Sequence, residues 1–288
     1  MINLYDDLIV NICENLSNRN KIIITMISKK FDKFKYRFMY YENIAIETIF
    51  NLSFFDNFKS VTITEIDKKI LPKYVTHLTF GHRFNQSIDN YVPKSVTHLI
   101  FGSDFDQTIC GSIPNSVTHL KFGFNYNQSI EKCIPNSVTH LTFGFNFDKL
   151  IEKCIPDSVL YLRLYCRNGY PAKNDFPKNL THLELVVLDS RYNTCFPSTI
   201  SHLTLFFITY ISLKELMPPS VKHLTLDGQF NRPIDDFIPS SITHLTLGGN
   251  FKKSINYVPS SLMRITLSDD YNGTIHDNVK SQVEIVRI

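Results

Sequence analysis

The sequence predicts an α+β chain, a short N-terminal helical segment followed by a solenoid with one parallel strand per repeat of 20 to 21 residues. Three observations carry this expectation. Prolines recur at Pro72, Pro93, Pro114, Pro135, Pro156, Pro177, Pro197, Pro218, Pro239 and Pro259. After each one the chain alternates apolar and polar residues, as in Val75-Thr76-His77-Leu78-Thr79-Phe80. Ahead of the first proline, apolar residues instead recur at helical spacing.

Asn3 is placed to cap a first helix, in which Leu4, Leu8, Ile12 and Leu16 recur every fourth position. Ile9 and Cys13 widen that face, and Asp6 and Asp7 suit the positive end of the helix dipole. Residues 17–20 read as a loop, a second helix runs through Ile22, Ile23, Met26 and Ile27, and a third begins near Phe31. Three such short helices bury too little surface to fold alone. The stretch LYDDLIVNICENLSNRNKIIITMISKKF resembles an F-box. Leu4, Leu8, Ile9, Ile12, Leu16, Ile23, Ile27 and Phe31 fall on that family's apolar positions, and Tyr5 stands where the family carries proline. The resemblance implies docking to the Skp1-type adaptor of a cullin-based ubiquitin ligase. The alternative is a helical cap that only shields the first rung, which a solenoid requires in any case.

Residues 46–71, rich in Ile and Phe, read as an ordered junction between a helical segment at 1–45 and a solenoid at 72–288. Within the junction, Ser60 to Thr64 (SVTIT) reads as a degenerate first strand. Ten copies of the repeat follow, the best of them written P-x-S-V-T-H-L-T-F-G-x-x-F-N-Q-S-I. Alternation turns Val, Leu and Phe inward in a pattern close to the leucine-rich L-x-x-L-x-L, and turns His and Thr outward. Proline cannot donate to a ladder and marks the corner entering each strand. Gly81, Gly102, Gly123, Gly144 and Gly248 let the chain leave the strand sharply. Asn85, Asp106, Asn127, Asp148, Asn231 and Asn272 share one turn slot, where short polar side chains bond the local or next backbone. Stacked about 4.8 Å apart, ten rungs make a parallel sheet about 48 Å long, lining the concave side where solenoids usually bind. VEIVRI at Val283 to Ile288 closes it as a last strand.

The repeat resembles the FNIP repeat family, a relative of leucine-rich repeats common in slime moulds and amoeba-infecting giant viruses. FNQSI at Phe84, YNQSI at Tyr126 and FNRPI at Phe230 carry the likeness, with the Ile-Pro corners at Pro114, Pro135 and Pro239. The resemblance implies a binding scaffold and no enzyme.

Eight of the ten histidines, His77, His98, His119, His140, His182, His202, His223 and His244, share one outward slot, replaced by Tyr161 and Arg264 in two copies. Three readings compete. The rings form a structural ladder, packed on one another and hydrogen-bonded to neighbouring threonines; adjacent rungs bind a metal; or mutual repulsion makes the column a pH switch with depressed pKa values. Function is expected where the repetition fails. The outward Thr becomes Ile100, Lys121, Arg163 and Glu184, while Phe124, Phe145 and Phe207 occupy the slot just after the strand. The copies from Pro156, Pro177 and Pro197 replace F-N-Q-S-I by LYCRNGY, LVVLDSRYN and LFFITYIS. Drift in a tolerant scaffold and a recognition surface with cationic and aromatic anchors both account for these breaks.

Composition excludes several classes. With 43% hydrophobic and 20% charged residues the chain suits a folded domain. A net charge of +3 without a basic tract does not suggest nucleic acid. No apolar run reaches the roughly 18 residues of a membrane span, and the first residues lack a basic signal region. A cytoplasmic protein is the default, in the host cytoplasm if the gene is viral. The scarcity of Ala and absence of Trp reflect an AT-rich coding bias. There is no Walker loop, GxGxxG or nucleophile elbow, so no cofactor, small-molecule substrate or catalysis is expected. The six cysteines show no metal-ligand spacing. They read as free buried thiols in a reducing compartment, with a Cys133–Cys154 bridge as the alternative.

Overall fold

The computed structural model describes residues 4–66, 71–166, 172–187, 196–207, 217–235 and 238–288. The helices are α1 (Leu4–Ile12), α2 (Asn18–Met26), α3 (Lys29–Asp32), α4 (Ile46–Ile49) and α5 (Asp277–Gln282). The strands are β1 (Ile44–Ala45), β2 (Ser60–Ile63), β3 (His77–Phe80), β4 (His98–Ile100), β5 (His119–Lys121), β6 (His140–Thr142), β7 (Tyr161–Cys166), β8 (His182–Val187), β9 (His202–Phe207), β10 (His223–Gly228), β11 (His244–Leu247), β12 (Arg264–Leu267) and β13 (Glu284–Arg287). All thirteen pair in parallel in sequence order. This is the strand-per-repeat solenoid of the sequence expectation.

Each repeat proline opens a turn in which its carbonyl accepts the backbone N–H of the residue three positions on, as from Val75 to Pro72 and Val117 to Pro114, both at 3.1 Å. The residue so placed, Val75, Val96, Val117 or Val138, is fully buried. Register keeps like on like: His77 pairs His98, Leu78 pairs Leu99 and Thr79 pairs Ile100. Inside, Phe80, Phe101, Phe122 and Phe143 stack at 5.2 to 5.4 Å between centroids. A second file, Phe84, Phe105, Tyr126 and Phe147, stacks at 6.0 to 6.2 Å. The turn slot bonds forward: Asn85 Oδ1 accepts from Asp106 N at 2.9 Å, Asp106 Oδ1 from Asn127 N at 2.8 Å, and Asn127 Oδ1 from Asp148 N at 3.1 Å.

Several expectations change. The sheet begins before residue 60, because β1 pairs with the strand formed by SVTIT. Ser17 caps α2 by accepting from Asn20 N at 3.2 Å, so Asn18 to Asn20 are helix rather than loop. The glycine column has another cause than a sharp exit. None of Gly81, Gly102, Gly123, Gly144 or Gly248 has a left-handed φ. A Cβ on Gly102, Gly123 or Gly144 would instead lie 1.7 to 2.0 Å from the carbonyl oxygen of the glycine one rung before. Close approach between rungs, not chain reversal, demands glycine there. Cys110 and Cys133 form a disulfide across adjacent rungs, with Cα atoms 4.3 Å apart, so Cys133 is neither a free thiol nor bonded to Cys154. Stacking brings Cys110 beside Cys133 although the two occupy different slots of the repeat. The Asn3 cap, Cys195 and the later parts of the three irregular phrases lie outside the described residues.

Candidate functional site

The outer face of the sheet carries parallel columns of side chains. In the first, His77, His98, His119 and His140 stack at 4.1 Å between ring centroids, within 14° of parallel. His182, His202, His223 and His244 repeat this at 4.1 to 4.3 Å. Tyr161 separates the two stacks and bonds Glu184. The residue before most of these histidines fixes the ring. Thr97 Oγ1 donates to Thr76 O at 3.3 Å and lies 2.9 Å from His98 Nδ1. Thr118, Thr139, Thr181 and Thr243 do the same. Each such hydroxyl lies within reach of both a carbonyl of the preceding rung and Nδ1 of the adjacent ring, so the ring is held through Nδ1 rather than Nε2. Burial, then the charge of neighbouring rings, holds His119 and His202 down to about 4. Side-by-side parallel rings suit a cation poorly, since one within about 2.1 Å of two such nitrogens would lie off both ring planes. Among the described residues, no group of three or more His, Cys, Asp or Glu side chains is arranged to hold a metal ion.

The breaks in the repeat separate into two sets. Ile100, Lys121, Phe124 and Phe145 gather around one trough of about 510 Å³, whose floor includes the glycines that follow β3 to β6 and which ends at Tyr165. Phe124 and Phe145 stack at 5.0 Å, and Phe145 meets Tyr165 edge-on at 5.6 Å. Ile100, Lys121 and Phe124 are exposed. Arg163 and Glu184, by contrast, engage each other. Arg163 Nη1 lies 3.0 Å from Glu184 Oε1, Nη2 donates to Tyr165 Oη at 3.1 Å, and the guanidinium lies 5.5 Å from the ring centres of Tyr165 and Phe206. Phe207 ends β9 rather than following it, and its side chain lies outside the described residues. Sequence reasoning missed Tyr165, Val186 and Phe206, which stand in register with the glycine slot. Where these bulky residues replace glycine the strands run to six residues instead of three or four. The absence of Gly three residues after Leu162, Leu183 and Leu203 was the available signal.

At the N-terminus two helices are turned inside out. On α1, Asp6 and Asp7 face the body and pair with Lys33 and Arg37, while Leu4, Leu8 and Ile12 are exposed, the last two by 56% and 69%. On α2, Asn18, Lys21 and Thr25 are buried, while Ile23, Met26 and Ile27 are exposed. Polar bonds satisfy the buried side: Asn18 N and Nδ2 donate to Glu42 Oε2 and O at 3.0 Å, and Lys21 Nζ donates to Met39 O at 2.8 Å. Ile9, Leu16 and Phe31 are half-buried against the core and Cys13 is buried, so the eight residues singled out on these helices do not share one environment. No helix among the described residues is long and apolar enough to cross a membrane.

Comparison with known proteins fits this architecture. A search of curated proteins gives no match. Among solved structures, the crystal structure of CroV588, a giant-virus protein described as a novel circular LRR protein, matches with a TM-score of 0.60 and 36% identity. The match covers 81% of this chain but 38% of that one, so this chain spans well under half of its neighbour's length. FNIP Repeat matches fall at residues 64–104, 84–125, 126–166, 212–250 and 230–270. Together they cover more than half of the sequence and coincide with the rungs described above, so the chain belongs to the FNIP repeat family.

Proposed function

We propose that this chain is a protein-interaction adaptor that recruits a target to a Skp1–cullin-type ubiquitin ligase, with the N-terminal helices as the F-box-like contact and the solenoid holding the target. The FNIP solenoid supports the general role of an interaction scaffold. The observation that carries the finer reading is the inverted amphipathicity of α1 and α2. A helix that served only to cap the first rung would turn Leu8, Ile12, Ile23 and Ile27 toward that rung. Here Asn18, Lys21 and Thr25 share the inner side with Ile9, Val10, Cys13, Ile22 and Ile24, while a second apolar set, Leu4, Leu8, Ile12, Ile23, Met26 and Ile27, faces outward, which is the arrangement of a surface awaiting a partner. Leu4, Leu8, Ile12, Ile23 and Ile27 are five of the eight residues that the F-box resemblance assigns to the adaptor. Ubiquitin transfer takes place on other subunits, so the reading requires no catalytic residue. The histidine stacks belong to the scaffold in this reading, since most of their Nδ1 atoms are held by the threonine or serine hydroxyl just before them.

The test is retention of purified Skp1 and cullin by the immobilised full chain. The wild type is expected to retain both, and the double variant Leu8→Asp, Ile12→Asp to lose both without a drop in melting temperature, because the replaced side chains are exposed. If the wild type retains neither, where a known F-box protein does, the helices are a cap and the ligase link is wrong.

A further inference from the structure

The trough over the glycine column has a shape and a charge that specify an occupant. Its floor is the backbone of Gly81, Gly102, Gly123 and Gly144, from which no side chain rises. Ile100 and Lys121 border it on the strand side, Phe124 and Phe145 on the turn side, and Tyr165 closes the end. Four rungs about 4.8 Å apart give it a length of about 14 Å, enough for about four residues of extended chain. Among the described residues Lys121 makes no ion pair and no side-chain hydrogen bond. Asp104 and Asp106 of the preceding rung bond the turns, Asp104 accepting from Asn125 Nδ2 at 3.1 Å and Asp106 from Asn127 N at 2.8 Å, and Glu184, three strands on, pairs with Arg163. The trough therefore presents, between an exposed isoleucine and an aromatic ridge, a lysine without an ion-pair partner among the described residues.

We infer that this trough docks an extended peptide segment carrying a carboxylate side chain beside an aliphatic or aromatic residue. The inference names the target chemistry for the adaptor reading and rests on it. The carboxylate meets Lys121, and the apolar neighbour lies against Phe124 and Phe145. The glycine floor lets the peptide backbone approach closely. A single cation on a chain of net charge +3 falls well short of the several phosphate contacts that nucleic acid binding needs.

A phage-displayed library of random twelve-residue peptides, panned on the immobilised full chain, tests this. The expected consensus places Asp or Glu within three positions of Leu, Ile, Phe or Tyr. Lys121→Glu should replace the acidic residue of the consensus by Lys or Arg. Phe124→Ala should weaken a synthetic consensus peptide about tenfold in fluorescence polarisation. Thr225→Glu, in the same column of β10 but outside the trough, should leave both unchanged. No consensus from the wild type, a consensus without an acidic residue, or an unaltered consensus with Lys121→Glu would each overturn the proposal. Skp1 retention by the same proteins separates the two readings. Loss of peptide selection with Skp1 kept sinks the groove alone, and the reverse sinks the ligase link alone.

Discussion

Each imidazole inside a stack has exchanged water on both ring faces for another imidazole, and that exchange decides its titration. Desolvation comes first and the charge of neighbouring rings second in holding His119 and His202 at about 4. Burial lowers His77, His98, His182 and His223 as well. An unfolded histidine takes its proton near pH 6.5, so between about 6.5 and 4 the unfolded chain holds more protons than the folded one. The histidine contribution is then complete above about pH 6.5 and shrinks as pH falls toward 4. The melting temperature should drop across that interval, and ring NMR titrations that all centre near 6.5 would refute the mechanism. A second residue-scale prediction concerns the slot three residues before the proline. Asn90, Gly111, Lys132 and Lys153 all adopt φ between 54° and 79°, and only Gly111 does so without a Cβ penalty. Lys153→Gly, at an exposed site, should stabilise the chain by about 1 kcal/mol in urea unfolding. The outward His and its threonine partner were legible from alternation and adjacency. The left-handed slot was not, because lysine there gives no hint of positive φ.

Among the elements, α1 and α2 show how far periodicity reaches. The spacing of Leu4, Leu8 and Ile12 marks a helix correctly but says nothing about which side the protein covers. Two ion pairs, Asp6 with Lys33 and Asp7 with Arg37, and the hydrogen bonds of Asn18 and Lys21 decide that. Such long-range polar partners leave no local trace in a sequence. The same holds for β1, whose two residues become a strand only because Val61 and Thr62 lie alongside. The contrast between β3–β6 and β7–β10 was half legible. The lost F-N-Q-S-I phrases marked where the repeat changes, but not that Tyr165, Val186 and Phe206 would lengthen the strands where glycine had ended them. Arg163 and Glu184 looked like free recognition charges in one dimension and prove to be partners of each other in three.

For the molecule as a whole, the proline count gave the architecture because each rung repeats the same bonds to its neighbours. Every interface between two regular rungs uses the Asn or Asp link, the threonine-to-carbonyl bond and the stacked aromatic files. Removing residues 136–156 joins Pro135 to Asp157, keeps the written phrase in step and spares the Cys110–Cys133 bridge. That shortened chain should still unfold in one cooperative transition, at a lower denaturant midpoint, whereas a chain that loses cooperativity would mean the rungs are not equivalent. The threonine hydroxyls add a direction to this equivalence. Where threonine precedes the histidine, its hydroxyl reaches back to a carbonyl of the preceding rung, so each of these rungs is tied to its predecessor by the same contact. A chain so built can lengthen or shorten by whole copies of its coding unit without stranding a polar group. Whole copies are therefore the natural unit by which such a chain changes its reach, and the 20-residue steps from Pro177 to Pro197 and from Pro239 to Pro259 show that a residue trimmed from the turns leaves the strands in register.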